Sequence, residues 1–208
     1  MVAVTPHDLI WIDSLSDIKW SGHCESWISD IWQPHYPLVV RRDIQADGWI
    51  AAGVRGSLRS QRQACWVPAT LVQKVVHPED LVNQSLLELH PQKDMAPIRS
   101  LIALTRLSWP LPWGVTGSCG YALATGESVM HASSDLDLLV RAAIPPSFDW
   151  VANIANILES LPCRIDIQLE TPNGGVALSE WSRKSGPVLV KSSGGPYLSS
   201  NPWQMKEK

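Results

Sequence analysis

The sequence lacks several features that would assign the protein to a common class. Its four cysteines are scattered and none forms a C-x-x-C pair, so neither a zinc site nor a redox dithiol is predicted. No stretch approaches the roughly 18 uninterrupted apolar residues of a membrane helix. The first apolar stretch contains acids and is not preceded by the basic segment of a signal peptide. We therefore expect a cytoplasmic protein with reduced thiols and no membrane partner.

An excess of one charge is also lacking. The net charge is −3, so no global basic field predicts a nucleic-acid partner, and a phosphate ligand would need a local cluster of cations. The 208 residues, of which 45% are hydrophobic, can bury a core and allow one or two domains. A break at Pro78 and the polar residues 89–94 predict a boundary, which we place between an N-terminal module, 1–92, and a second domain, 93–208.

The N-terminal module contains signals for a helix start and for a β-hairpin. Thr5 and Pro6 suit the N-cap and the first position of a helix, although the following L-I-W-I fits a buried strand equally well. The segment L-V-V-R-R after Pro37 and the segment W-I-A-A-G-V-R-G predict two strands, separated by the turn D-I-Q-A-D-G.

An arginine-rich segment follows this hairpin. Arg55, Arg59 and Arg62 are spaced by four and three residues, which would place them on one face of a helix. Arginine binds phosphate through two parallel hydrogen bonds, so the segment is a candidate phosphate-binding cluster. The alternative is a solvated helical face whose charge is balanced by carboxylates such as Asp43 and Asp47.

Past residue 92 the pattern predicts a helix, a strand, a second helix and a second strand. The segment A-P-I-R-S-L-I-A-L-T-R-L has an apolar stripe at helical spacing. An apolar run containing D-L-D-L predicts the first strand. Ser147 is a candidate N-cap for a helix that ends before Pro162, and the alternating C-R-I-D-I-Q-L-E-T-P predicts the next strand.

The two strands of this region contain three aspartates that could converge. Asp135 and Asp137 share one face of an extended strand, because successive side chains point to opposite faces. A helical crossover usually returns the chain beside the strand that it left, which brings Asp166 within reach of the pair. Carboxylates that converge in this way suit Mg²⁺, which binds a few carboxylates together with substrate phosphates. An isolated D-x-D, however, is also explained by a strand with solvated acids.

A pair of small residues precedes the aspartates. Backbone N–H groups can approach a triphosphate closely only where side chains are small or absent, as they are at Gly117 and Ser118. Together with the three carboxylates, this turn predicts phosphoryl or nucleotidyl transfer.

These motifs resemble those of the nucleotidyltransferase superfamily that includes DNA polymerase β. The resemblance implies that Gly117 and Ser118 hold the triphosphate, that Asp135 and Asp137 are paired metal ligands, and that Asp166 is the third carboxylate. Sixteen residues separate Ser118 from Asp135, which is more than is common in the superfamily. The spacing therefore implies an inserted hairpin around residues 124–127.

A narrower resemblance extends over nearly the whole chain. The segments P-L-V-V-R-R, G-V-R-G-S-L-R-S-Q-R, W-G-V-T-G-S, S-D-L-D-L-L, D-I-Q-L-E-T-P-N-G-G and G-G-P-Y-L-S-S-N-P-W are similar to the phosphoribosyl-dephospho-CoA transferase (holo-acyl-carrier-protein synthase) family of malonate decarboxylase. It implies an α+β nucleotidyltransferase fold, with a small mixed sheet flanked by helices, after a small α+β module.

The resemblance also implies the reaction and its partners. The substrate would be triphosphoribosyl-dephospho-CoA, the acceptor a serine of the apo acyl-carrier-protein subunit of malonate decarboxylase, and the leaving group diphosphate. Mg²⁺ or Mn²⁺ would be held by Asp135, Asp137 and Asp166. Lys191, like Arg55, Arg59 and Arg62, is a candidate ligand of the substrate phosphates.

Two other functions are compatible with the same residues. Another nucleotidyltransferase, acting on a small molecule, an RNA or a protein, would use the same three carboxylates. A non-enzymatic module that binds a carrier protein would need none of them as metal ligands. Dependence on a divalent metal separates an enzyme from a binding module.

Overall fold

The computed structural model describes residues 3–44, 46–56, 58, 60–183 and 185–204. The chain divides into two compact units, Met1–His77 and Pro78–Lys208, which are called here the first and the second unit. Residues 78–92 belong to the second unit and not to the N-terminal module expected from the sequence. The reason is that Leu81, Val82 and Leu87 pack into the hydrophobic core of the second unit.

The first unit is built around one antiparallel sheet in the order β2-β5-β4-β3-β1-β6. It has a short helix, α1 (Trp27–Ile31), and a 3₁₀ turn, Ala69–Leu71. The six strands are β1 (Leu9–Trp11), β2 (Lys19–Trp20), β3 (Leu38–Val40), β4 (Trp49–Arg55), β5 (Arg62–Pro68) and β6 (Lys74–Val76).

The structure settles the two predictions for the start of this unit. The hairpin is confirmed, because β3 pairs with β4 in antiparallel register. The helix start at Thr5 is wrong, and L-I-W-I contains the strand β1. Thr5 does not cap a helix, since its backbone N–H donates to the buried carboxylate of Asp8 at 2.7 Å and its hydroxyl lies 3.2 Å from the same group. This local turn, with His7 at φ 78°, directs the chain into the strand.

The second unit has a mixed sheet in the order β12-β11-β10-β9-β8-β7. The neighbours β8 and β9 are parallel, and the other neighbouring pairs of strands are antiparallel. The predicted α+β class is confirmed by this combination of helices with two sheets. The strands are β7 (Trp113–Val115), β8 (Leu136–Arg141), β9 (Ile165–Thr171), β10 (Gly174–Ala177), β11 (Val188–Ser192) and β12 (Gly195–Ser199).

The helices of this unit include both of those predicted from the sequence. A 3₁₀ helix, Pro78–Leu81, comes first, followed by α2 (Gln84–Glu88), α3 (Ala96–Thr105), α4 (Gly117–Thr125), α5 (Phe148–Glu159) and α6 (Leu178–Trp181). Ser147 caps α5, since its hydroxyl accepts a hydrogen bond from the Trp150 N–H at 3.2 Å. None of the helices within the described residues is long and apolar enough to span a membrane.

One face of the mixed sheet is buried and the other carries the aspartates. Alternate residues of β8 and β9 enter the core against α3, α4 and α5, as period two requires. Leu136 and Leu138 of β8 and Leu169 of β9 are almost completely buried in this way. Asp137 lies between Leu136 and Leu138, and Asp166 precedes the buried Ile167, so both aspartates lie on the opposite face.

The segment between Ser118 and Asp135 is not an inserted hairpin, so that prediction was wrong. Most of its first half is helical, because α4 extends to Thr125. Gly126 ends the helix at φ 79°, a left-handed conformation that is typical of the residue after a helix. Irregular chain then leads from residue 127 to β8.

Candidate active site

Three carboxylates meet at one edge of the mixed sheet. Asp135 immediately precedes β8, Asp137 is its second residue, and Asp166 is the second residue of β9. Asp137 and Asp166 are direct register partners in the parallel pair, so their side chains share a face of the sheet. The structure thus brings together the residues that the strand–helix–strand order predicts. Their roles in chemistry stay predictions.

The spacing of the carboxylates suits a single cation after a small adjustment. One oxygen from each aspartate lies within 4.8 Å of the others, and all three residues are partly exposed. Oxygens bound to one Mg²⁺ at about 2.1 Å are at most about 4.2 Å apart, so modest side-chain rotations would close the set. Three like charges this close repel each other, and a cation between them would relieve that repulsion. The donor set consists of hard oxygen ligands, which fit Mg²⁺ or Mn²⁺.

Gly117 is positioned directly against this cluster. It has φ 65°, and a Cβ atom at this position would overlap the carboxylate of Asp137. The neighbouring backbone is fixed by the sheet, because the Thr116 N–H donates to the carbonyl oxygen of Asp137 at 2.9 Å. The missing side chain therefore allows the carboxylate of Asp137 to lie against the start of α4.

The start of α4 has the properties of an anion site. The first turn of any helix presents N–H groups that have no carbonyl partner within the helix, and the helix dipole adds a partial positive charge there. Gly117 and Ser118 are the first two residues of α4, so the predicted phosphate-holding turn is the first turn of a helix. Their small size predicted contact with a phosphate, but the helix itself was not predicted from the sequence.

One basic side chain, that of Arg164, contacts the cluster, and its sequence position alone did not indicate a functional role. Nη2 of Arg164 lies 3.0 Å from Oδ1 and 2.9 Å from Oδ2 of Asp166. The hydrogen bond to Asp166 raises the pKa of Arg164, and the charges of Asp166, Asp135 and Asp137 act in the same direction. The sequence pattern that could have identified Arg164 is the alternation around β9, which places position 164 on the same side of the strand as position 166.

Two thiols lie near the carboxylates but are poor nucleophiles. Burial, with smaller contributions from Cys163 and Asp137, raises the pKa of Cys119 to about 12. Burial also raises the pKa of Cys163, whose sulfur lies 3.3 Å from the Ser100 hydroxyl oxygen. Since the thiolate is the reactive form, neither group is suited to covalent catalysis at neutral pH. Within the described residues all four cysteines are free.

Arg55 and Arg62 do not lie on a helix, so the predicted helical face is wrong for these two residues. Arg55 ends β4 and Arg62 begins β5, and the two residues are direct partners in the antiparallel register. Arg59 lies outside the described residues. The seven positions from Arg55 to Arg62 fit two turns of a helix, but here they span the hairpin between β4 and β5. Arg55 and Arg62 belong to the first unit, whereas the three carboxylates belong to the second.

Lys191, in contrast, belongs to the unit that holds the carboxylates. It is exposed on β11 and pairs in register with Gly175 of β10, which in turn pairs with Glu170 of β9. Register partners share a face of a sheet, and Glu170 shares its face with Asp166 by period two. Lys191 is therefore on the same face as the cluster, with β10 between β11 and β9.

The chain matches two models of one protein family. Residues 83–202 match the phosphoribosyl-dephospho-CoA transferase MdcG C-terminal domain, and residues 5–78 match its N-terminal domain. No solved structure matches the chain.

Curated relatives are similar over nearly their whole length. A phosphoribosyl-dephospho-CoA transferase of Klebsiella pneumoniae is 44% identical over 202 residues, covering 97% of both chains. The protein of the same name from Azotobacter vinelandii is 39% identical, covering 96% of this chain and 94% of its own. The one from Pseudomonas aeruginosa is 38% identical, covering 97% of this chain and 95% of its own. These similarities, together with the two family models, show that the chain belongs to the phosphoribosyl-dephospho-CoA transferase family.

Proposed function

We propose that the protein transfers a phosphoribosyl-dephospho-CoA group from triphosphoribosyl-dephospho-CoA to a serine of the apo acyl-carrier-protein subunit of malonate decarboxylase, releasing diphosphate. The observation that carries the proposal is the meeting of Asp135, Asp137 and Asp166 beside the first turn of α4. This arrangement occurs in a chain of a transferase family whose name specifies the transferred group.

The three aspartates are proposed to hold Mg²⁺ or Mn²⁺. When bound, such an ion stabilises the negative charge that develops on the attacking and leaving oxygens of a phosphoryl group. The position of Asp137 supports this proposal, because the residue is held in β8 and its carboxylate lies directly against Gly117.

The residues of the chain then have separate tasks in an in-line displacement. The N–H groups of Gly117 and Ser118 bind the phosphates that will leave as diphosphate. The serine oxygen of the carrier attacks the α-phosphorus, an O–P bond forms, and the bond to the diphosphate oxygen breaks. A carboxylate oxygen of Asp166 accepts the proton of the serine hydroxyl, so that a more nucleophilic oxygen attacks.

Lys191 and the arginines are proposed to bind other phosphates of the long substrate. Lys191 is on the same sheet face as the carboxylates, separated from β9 by one strand. Arg55 and Arg62 are direct partners in the antiparallel register, which places two guanidinium-bearing side chains side by side, as binding of one phosphate by both would require. Arg59 retains the same proposed role from its sequence alone.

The reaction is tested by incubating the protein with triphosphoribosyl-dephospho-CoA, Mg²⁺ and the apo carrier, then measuring the mass of the carrier. We expect the carrier to gain one phosphoribosyl-dephospho-CoA group and diphosphate to appear in equal amount. Asp137→Asn should reduce the rate by at least about 100-fold, because it removes a charged ligand beside the reacting phosphate. Asp94→Asn, at an exposed position of the same unit, is the matched control and should react at the parental rate.

The outcomes separate the proposal from its alternatives. Consumption of ATP, CTP, GTP or UTP in place of triphosphoribosyl-dephospho-CoA would assign a different nucleotidyltransferase activity. If the carrier binds but no triphosphate is consumed with either Mg²⁺ or Mn²⁺, the protein is a binding module. A folded Asp137→Asn variant with parental turnover would contradict the assigned site.

The arginine pair is tested by binding and not by turnover. Arg62→Ala should weaken the binding of triphosphoribosyl-dephospho-CoA by about tenfold, the effect of losing one charge-assisted hydrogen bond to a phosphate. Calorimetric titration in the absence of carrier measures this effect. Arg99→Ala removes the same charge at an exposed position of α3 and should bind as the parent does. Equal affinities for the parent and for Arg62→Ala would make the pair a structural feature of the hairpin.

A further inference from the structure

Arg164 is anchored at its backbone while its side chain projects into solvent. Its carbonyl oxygen accepts a hydrogen bond from the Leu136 N–H at 2.9 Å, which ties it to the start of β8. The side chain is 77% exposed, compared with 44% for Asp166, so little packing holds the guanidinium in place. The ion pair with Asp166 is therefore the main contact that holds this long side chain in place.

This ion pair occupies the oxygens that a metal ion would need. Nη2 of Arg164 is within hydrogen-bond distance of both carboxylate oxygens of Asp166. A divalent cation among the three carboxylates would repel a guanidinium at this distance and would take over its role as counter-charge. Exposed ion pairs contribute little free energy, so the guanidinium can be displaced at small cost.

A displaced Arg164 would remain beside the reacting phosphates. Arg164 immediately precedes β9 and is two residues from Asp166, and its guanidinium already reaches the cluster through its contact with that carboxylate. A triphosphate ester adds further negative charge to the three carboxylates. A guanidinium matches the geometry of phosphate oxygens and binds them through two parallel hydrogen bonds.

We propose that Arg164 exchanges partners during the catalytic cycle. In the free protein it neutralises Asp166, and in the complex it releases Asp166 to the metal ion and binds a phosphate oxygen of the substrate. This inference rests on the proposed function for the identity of the triphosphate ligand. The release of Asp166 by Arg164 involves only these two residues and a divalent cation, and does not depend on the identity of the substrate.

Two titrations test the exchange, and Arg164→Gln is expected to raise the affinity measured in one and to lower the affinity measured in the other. In the first, free Mn²⁺ is measured by electron paramagnetic resonance as it is added to the protein without substrate. Arg164→Gln should bind Mn²⁺ about two- to fivefold more tightly than the parent, because the competing cation has been removed. In the second, triphosphoribosyl-dephospho-CoA is titrated with Mn²⁺ at saturation, and Arg164→Gln should bind it at least about tenfold more weakly.

Two control variants separate this role from a general effect of charge. Arg99→Gln makes the same change of charge on α3 and should leave both affinities unchanged. Arg164→Lys keeps the charge but loses the planar fork, so its Mn²⁺ affinity should stay within about twofold of the parent and its substrate affinity should be intermediate.

The proposal is overturned if Arg164→Gln matches Arg99→Gln in either titration. A parent protein that binds Mn²⁺ but not triphosphoribosyl-dephospho-CoA would contradict the proposed function and the phosphate contact. The Mn²⁺ titration would then still decide whether Arg164 competes with the metal ion for Asp166.

Discussion

Gly117 adopts a backbone conformation that other residues rarely adopt, and it does so beside Asp137. At φ 65° an alanine would cost about 1–2 kcal/mol from its own backbone strain. Its Cβ would also overlap the Asp137 carboxylate and force that group away from the cluster. We therefore expect Gly117→Ala to lower the free energy of unfolding by more than about 2 kcal/mol and to abolish tight Mn²⁺ binding. Urea unfolding and Mn²⁺ titration measure the two effects.

Gly126 at the other end of α4 provides a matched control. It also has a positive φ, 79°, but a Cβ there would meet no atom within 4 Å. Gly126→Ala should therefore cost about 1 kcal/mol of stability from backbone strain alone and leave Mn²⁺ binding unchanged. If both variants bind Mn²⁺ as the parent does, the contact between Gly117 and Asp137 has no part in the metal site.

At the scale of elements, the 3₁₀ helix Pro78–Leu81 packs closely on β7. A Cβ at Gly114 would overlap the backbone of Pro78 and Glu79, which cannot move aside as the end of a flexible side chain can. The helix is also tied to β8 by an ion pair of 2.6 Å between Glu79 Oε1 and Arg141 Nε. Gly114→Ala should therefore push the helix off the sheet and lower the unfolding free energy by about 1–3 kcal/mol. Urea denaturation would measure this loss.

The control for this substitution is Gly194, which lies between β11 and β12. Its nearest neighbour to a built Cβ is the Ser192 hydroxyl oxygen at 3.9 Å, an ordinary contact distance. Gly194→Ala should stay within about 0.5 kcal/mol of the parent. Equal stabilities of the two variants would mean that the 3₁₀ helix adjusts freely to a side chain at position 114.

The elements that could be predicted from the sequence are those whose signal is local. The alternation around Asp166 and the N-cap at Ser147 need only a few adjacent residues, and β9 and α5 lie where those signals place them. The parallel pairing of β8 with β9 followed from the strand–helix–strand order. The convergence of the three aspartates was predictable for the same reason.

Two other elements could not be recognised from spacing alone. The residues of α4, G-S-C-G-Y-A-L-A-T, are mostly small and show no clear apolar stripe, so only Gly126 indicated where the helix ends. The spacing of the arginines is compatible with a helix. The register of a hairpin depends on which residues of the two strands pair, and spacing along the chain does not reveal that pairing. The alternation of Cys65 and Val67, both buried, was the signal for a strand at Arg62.

At the scale of the whole molecule, each unit has its own hydrophobic core. Ile10 is fully buried in the core of the first unit and Leu104 in that of the second. Ile10→Ala and Leu104→Ala should each cost about 2–5 kcal/mol, but in different units. Hydrogen exchange of backbone amides shows which unit loses stability. Ile10→Ala should accelerate exchange in β3, β4 and β5, whereas Leu104→Ala should accelerate exchange in β8 and β9.

Because the two cores are separate, we can also predict which binding affinities are lost when each unit unfolds. All three carboxylates, Gly117 and Lys191 lie in the second unit, whereas Arg55 and Arg62 lie in the first. At a urea concentration that unfolds the first unit of the Ile10→Ala variant but not its second unit, the Mn²⁺ affinity should therefore stay at the parental value. The affinity for triphosphoribosyl-dephospho-CoA should fall. Leu104→Ala should lose both affinities under conditions that open the second unit. If Ile10→Ala loses Mn²⁺ binding together with substrate binding, the two units unfold as one and the metal site depends on both cores.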